Sequence, residues 1–414
     1  MYPARIIAFC LLALPLAAER TPPRLPIVTP EAVKVSPEKL EQVDQVLQKL
    51  VADGKLAGVT VAAARHGKVF YFKAFGQADL ERKKAMEKDS IVRIYSMTKA
   101  ITSTAVMMEW EKGRFQLEDP VSKYIPSFKD LQVVDGAHTR PVKTEMKVVD
   151  LLRHSSGLGY GIGQKPHNQA WAKAGVLQRD QTLETFTEKL SRLPLNHDPA
   201  TTWLYGVSID VLGRLVEIWS GEAFDTYLEK RIFKPLHMQD TAFYVPKGKV
   251  DRFAANYRSK GRLSLIDDPG KSLYLENPKF SSGGGGLCST AEDYLNFLVM
   301  LEQGGELFGT RLLRRETVEL MTRNHLPEKL MPIRFGNQMR WGVGFGLGFN
   351  VRTEANGKWD PPGRVGEFGW GGKSSTHYWI SPADGLCVVT LEQTEPYSFM
   401  TEWAVKTLFY EAME

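Results

Sequence analysis

The sequence predicts an α/β (α+β) protein in which both ends of the chain build one discontinuous domain and a mostly helical region is inserted between them. Three observations lead there. Strand-like runs lie near both ends of the 414 residues, the middle from about 117 to 280 is dominated by helix-like periods and loops, and no low-complexity linker separates independent units. At 43% hydrophobic and 24% charged residues the chain can bury a large core, which excludes disordered and fibrous classes. No internal repeat at a fixed period is found, which sets solenoids and propellers aside.

The elements follow in order. Arg5, the apolar run Ile6 to Leu14 and a mostly small-residue end before Glu19 have the outline of a signal peptide over residues 1–18, so the expected location is periplasmic or secreted. Phe9 ahead of Cys10 is too bulky for a lipoprotein processing site. The run falls short of the roughly 20 residues a permanent transmembrane helix needs, and no later segment supplies one, so no stable membrane insertion is expected. A Pro-rich lead occupies 19–35. The discontinuous domain is then assigned to 36–116 and 281–414, and the inserted helical domain to 117–280.

Ser36, Pro37 and Glu38 open a helix that places Leu40, Val43, Val46, Leu47, Leu50 and Val51 on one side. Val59 to Ala64 and Val69 to Phe72 read as a hairpin around Arg65-His66-Gly67-Lys68, with Gly67 free to take a positive φ. Ile209 to Trp219 reads as a helix ending at Gly221, and Ser289-Thr290-Ala291-Glu292 as a capping box opening another. Thr376 to Ile380 and Leu386 to Leu391 are strands around a turn at 381–385, followed by a last helix over about 399–410. Cys288 and Cys387 are expected to be separate core residues rather than a disulfide.

Charge says little about partners. The 53 basic and 48 acidic residues give +5 with no run of five like charges, a solvated surface rather than a nucleic-acid tail. Chemistry is concentrated elsewhere. Tyr95-Ser96-Met97-Thr98-Lys99-Ala100 opens a helical run, and residues three apart on a helix share a face with Cβ atoms about 5 to 6 Å apart. A hydroxyl at the helix start thus meets an amine one turn on, as an activated serine requires, with the helix N-terminus favouring an anion there. The S-x-x-K spacing alone is weak, since an N-cap serine and a solvated lysine produce it too. It gains weight from Tyr205, which stands just ahead of the helix at Ile209, and from Gly366-Glu367-Phe368-Gly369-Trp370-Gly371-Gly372-Lys373 beside a strand.

In that order the motifs resemble the serine β-lactamase and penicillin-binding protein superfamily. Leu151-Leu152-Arg153-His154-Ser155-Ser156-Gly157-Leu158, Ser282 to Asp293 and Gly342 to Phe349 are similar to its class C β-lactamase-like branch. The departures narrow the branch: Tyr205-Gly206-Val207 stands in place of Y-x-N, and Trp370-Gly371-Gly372 in place of K-T-G. This resembles the family VIII carboxylesterases and their acyltransferase relatives. The resemblance implies a β-lactamase/transpeptidase-like antiparallel sheet flanked by helices, with Ser96 as nucleophile and Lys99 and Tyr205 handling protons as one unit. It also implies an oxyanion hole from the backbone N–H groups of Ser96 and Lys373, and substrate contact at Trp370, Gly371 and Gly372. No metal or cofactor is implied, and the partner is a small-molecule ester. The alternative is a class C-like β-lactamase or a D-amino-acid peptidase. A Trp in place of the K-T-G cation removes the charge that would hold a β-lactam carboxylate, and Lys373 lies three residues too far along to replace it.

His154 and His377 are read as structural histidines with satisfied hydrogen bonds, and Gly283 to Gly286 as backbone that packs close to the site rather than a phosphate loop. Trp341, Phe345 and Trp359 either line an acyl pocket or belong to the core.

Overall fold

A computed structural model describes residues 23–162, 166–355, 358–359 and 363–413; the signal-peptide assignment lies outside them. The architecture is an antiparallel sheet between two helical layers. Its strands are β1 (Gly58–Arg65), β2 (Lys68–Asp79), β3 (Lys84–Ala85), β4 (Val343–Phe345), β5 (Asn350–Arg352), β6 (Phe368–Gly372), β7 (Thr376–Ser381) and β8 (Leu386–Glu392). Among the described residues the order is β4-β5-β6-β7-β8-β1-β2-β3, so the last strand of this sheet pairs with its first and joins the two ends of the chain.

The β1–β2 turn needs two left-handed residues. His66 takes φ 50° and Gly67 φ 72°, which matches the twist of a two-residue hairpin. Alternation then sorts the strands. Val59, Val61, Ala63, Leu386 and Val388 face α1 (Pro37–Ala52) and the C-terminal helix Met400–Met413, while Ala62, Ala64, Cys387, Val389 and Leu391 face the larger core. In that core lie α2 (Thr98–Glu111), α3 (Ser208–Ser220) and α4 (Ala291–Glu302). Helix α2 is buried nearly all round, as befits a central helix. Ser36 caps α1 by accepting from Lys39 N–H, and α3 ends on Gly221 at φ 72°. Cys288 and Cys387 are both free and buried.

Two local expectations are corrected. The capping frame at α4 shifts by one residue: Thr290, not Ser289, accepts from the backbone of Asp293. Ser289 is already committed, paired in a short strand with Val92 and bonded through its hydroxyl to Thr241. The helix carrying Lys99 also starts later than the motif suggests. Tyr95–Met97 is a 3₁₀ turn and α2 begins at Thr98, so Ser96 sits on the turn before the α-helix.

Segment 117–280 holds helices together with two hairpins, Gln132–Asp135 with His138–Pro141 and Asn256–Lys260 with Arg262–Asp267. The second pairs in parallel with Thr394–Glu395 in a separate three-stranded sheet, tying this segment to the chain just after β8. No helix among the described residues is long and apolar enough to cross a membrane.

Candidate active site

The site forms where the turn before α2, the loop before α3, the glycine run before α4 and the end of β6 meet. Tyr95 holds φ 43°, a left-handed conformation that costs about a kcal/mol or more outside glycine. The next residue, Ser96, is half-buried, and Lys99 one turn on is almost wholly buried. Lys99 Nζ donates to Ser96 Oγ at 3.3 Å, to Tyr160 OH at 3.1 Å and to the carbonyl of Gly284 at 2.5 Å. Its three donors are thus accounted for, as a buried ammonium requires.

The glycines explain how a carbonyl reaches so deep. A Cβ on Gly284 would stand 2.2 Å from Asp210 Oδ2, and one on Gly283 would stand 2.9 Å from the carbonyl of Ile209. Asp210, in the first turn of α3, fixes the loop by accepting from Gly284 N–H at 2.9 Å and Ser282 Oγ at 2.5 Å. The close-packing reading of Gly283 and Gly284 therefore holds.

Tyr205 reaches the site because Gly206 packs against the loop that follows His154, where a Cβ would approach the Leu158 carbonyl to 2.2 Å. Its ring lies 4.7 Å from Lys99 Nζ and is surrounded by Trp203, His154, Tyr160, Phe335 and Trp370. Its hydroxyl accepts Trp370 Nε1–H at 2.9 Å. The W-G-G segment is itself a buried strand, β6. A Cβ on Gly372 would come within 2.4 Å of the Ile94 carbonyl, so the end of β6 abuts the Ser96 turn and Lys373 follows directly. The Lys373 side chain points outward, paired with Glu395 at 3.1 Å and 5.8 Å from the Tyr95 ring.

Electrostatics favour a charged lysine. Burial works against the Lys99 ammonium, but Tyr160, Tyr205 and Asp210 outweigh it and hold the amine above the ordinary lysine range. Burial pushes Tyr160 and Asp210 up as well. His154 and His377 are buried; neither ring nitrogen of His154 has a hydrogen-bond partner among the described residues, and His377 Nε2 lies 3.5 Å from Glu402. Burial, with Lys99 beside the first and Arg340 beside the second, keeps both neutral; His377 is driven down to about 3. Phe345 is core and packs on Trp370 and His154, Trp359 packs on Phe399 and Trp403, and Trp341 is exposed.

The structure thus gathers Ser96, Lys99, Tyr205 and the Trp370-Gly371-Gly372 strand into one place. Sequence reasoning missed Tyr160 as a direct partner of Lys99, and missed the bond from Trp370 to Tyr205. A signal for the first was present, a tyrosine between Gly159 and Gly161 just after the His154 to Leu158 motif. Chemically, a serine hydroxyl beside an ammonium and two phenols is equipped for nucleophilic attack with local proton transfer.

The chain is similar to several known proteins over most of its length. A family model described as Beta-lactamase matches residues 43–408. An uncharacterized protein of Mycobacterium tuberculosis is 32% identical over 353 residues, covering 83% of this chain and 87% of its own length. Esterase EstB of Burkholderia gladioli is 27% identical over 376 residues, covering 85% and 90%. The solved structure of EstCE1, described as a hydrolase with promiscuous acyltransferase activity, aligns with TM-score 0.79 at 27% identity, covering 90% of this chain and 98% of that one.

Proposed function

The chain belongs to the beta-lactamase family, and from that premise we propose that it is a serine hydrolase of carboxylic esters, resembling the family VIII carboxylesterases and working through an acyl-Ser96 intermediate. The observation that carries the reading is the Trp370–Tyr205 hydrogen bond. Where the family's β-lactam-cleaving members carry a cation, this chain carries an indole whose N–H is spent on the tyrosine. A neutral ester needs no cation there, whereas a β-lactam carboxylate does. EstB, an esterase, and EstCE1, a hydrolase, support the same substrate class.

In the proposed reaction Ser96 Oγ attacks the ester carbonyl while its proton passes to the Lys99–Tyr205 pair. The oxygen that becomes negative is held by the backbone N–H groups of Ser96 and Lys373, the latter set beside the turn by the close contact of Gly372 with Ile94. The pair then returns the proton to the leaving alcohol. Water repeats the sequence in reverse on the acyl-enzyme and releases the acid. With Lys99 held as an ammonium, the acceptor is the Tyr205 oxygen in its phenolate form, which Lys99 stabilises until the Ser96 proton arrives.

A substrate panel tests the class. Short-chain aryl esters should be turned over with a kcat/KM at least ten- to a hundredfold above that for a chromogenic cephalosporin, the handicap expected when a charge-assisted bond of about 1.5 to 3 kcal/mol is missing. A cephalosporin value equal to that of the best acetate or butyrate ester would replace this reading with a β-lactamase. We also propose export: expression in a Gram-negative host should yield periplasmic protein lacking roughly the first 18 residues, and intact mass showing Met1 retained on cytoplasmic protein would refute it.

A further inference from the structure

Against the face of Trp370 a cation is buried among rings. Arg340 ends the hairpin Ile333–Phe335 with Gln338–Arg340, and its side chain is 2% exposed. The guanidinium carbon lies 4.7 Å from the Trp370 ring centre, 4.9 Å from Phe335, 5.0 Å from Trp359 and 5.3 Å from Phe399. Its Nε and Nη2 have no hydrogen-bond partner among the described residues, while the Tyr397 hydroxyl lies within bonding reach of the guanidinium. Desolvating a guanidinium costs several kcal/mol, and four aromatic faces offset that only in part. Cohesion of this core does not require a charge, because a methionine would fill the same cage without the desolvation cost.

Position supplies a reason for the charge. Two walls of the cage, Phe335 and Trp370, also enclose Tyr205, at 5.2 and 5.1 Å between ring centres. Trp370 shows its face to the guanidinium and its N–H to the Tyr205 oxygen. A cation on the face of an indole draws electron density from the ring and makes the N–H a stronger donor. A stronger donor matters most when its acceptor carries negative charge, and in a desolvated site that effect is not screened by water.

We propose that Arg340 is a positioning residue for ester cleavage, acting through Trp370 to stabilise the negative charge that the Tyr205 oxygen holds as a phenolate before it takes the Ser96 proton. The inference rests on the proposed role of Tyr205 as proton carrier. It concerns residues outside the S-x-x-K and Tyr205 motifs, and it makes the W-G-G tryptophan a conductor of charge rather than only a neutral replacement for lysine.

The test is a set of pH–rate profiles on a neutral aryl ester for wild type, Arg340→Met, Arg340→Lys, Trp370→Phe and the double variant Arg340→Met/Trp370→Phe. Arg340→Met should lower kcat about tenfold with KM within about twofold, and move the lower limb of the profile to higher pH. Arg340→Lys, which keeps the charge, should recover most of the loss. Trp370→Phe removes the N–H and should move the limb the same way, and the double variant should be no worse than Trp370→Phe alone because the path runs through one residue. An unmoved limb in Arg340→Met, equal damage from Lys and Met, or fully additive losses would each overturn the proposal. If Arg340→Met does not fold, an unmoved limb in Trp370→Phe overturns it by itself. Tyr205→Phe separates the two layers: activity retained there refutes the role of Tyr205, whereas activity lost there with Arg340→Met unaltered refutes only Arg340.

Discussion

The two sides of Trp370 hold buried charge in opposite ways. On the Lys99 side the ammonium is fixed by three directional bonds, to Ser96, Tyr160 and Gly284, and Asp210 anchors the loop that supplies the third. On the Arg340 side a guanidinium is held mainly by ring faces, with the Tyr397 hydroxyl beside it, next to a neutral His377 whose Nε2 stands 3.5 Å from Glu402. The difference teaches what each side is for. Protons move along hydrogen bonds, so the groups that exchange them must be held by distance and angle. A field needs only a nearby charge in a dry place, for which an aromatic cage suffices. Trp370 belongs to both sides, bonded by its edge to the first and stacked by its face on the second.

The largest effects should come from the bonded side. Ser96→Ala should leave the protein folded and lower kcat at least about a thousandfold, since it deletes the attacking atom while the α2 packing stays. Lys99→Met and Tyr205→Phe should approach that loss. Their combination should be no worse than either alone if they act as a unit, and additive losses in log rate would break the shared-proton account.

Tyr160→Phe is expected next, at about tenfold in kcat. It removes one of the three partners of Lys99 but leaves Ser96 and Tyr205 in place. A loss as large as that of Tyr205→Phe would make Tyr160 the proton carrier instead and would redraw which phenol faces the reaction.

The smallest effect belongs to a charge pair on neither side. Arg140, by hydrogen bonding to both carboxylate oxygens, holds Asp198 down at about 2, helped by Lys143 N–H against the opposing effect of burial. A carboxylate depressed below its unfolded value near 3.9 adds stability that is present above about pH 4 and disappears as pH falls towards 2. Asp198→Asn should therefore cost about 1 kcal/mol at pH 7 by urea unfolding, a discounted figure because Arg140 is partly exposed, and wild type and variant should converge on acidification. Activity per folded molecule should not change; a fall in kcat would show that this remote pair supports the site.

How much of this was legible in the sequence follows the same division. The β1–β2 hairpin, the helix closed by Gly221 and the Ser96–Lys99 pair were readable because each depends on neighbours within a few residues. The α4 cap was readable to within one position, since Ser289 and Thr290 are equally able caps and only the pairing of Ser289 with Val92 decides between them. Tyr160, 61 residues from Lys99, and Arg340, caged by rings on four separate stretches of chain, carry no local spacing that announces them. A cation held by aromatic faces leaves no i,i+3 or i,i+4 trace. At Trp370 the sequence reveals the absence of a lysine but not what the indole N–H binds.

The central claim is that Ser96 carries the acyl group. It is tested most directly by mixing wild-type protein and Ser96→Ala with a 4-nitrophenyl ester, quenching in acid within the first turnover, and locating the added acyl mass by peptide mapping. One acyl group on the peptide containing Ser96, present in wild type and absent in Ser96→Ala, is the predicted result. Turnover in wild type accompanied by acyl mass on any other residue, or by the same labelling in Ser96→Ala, would contradict the account.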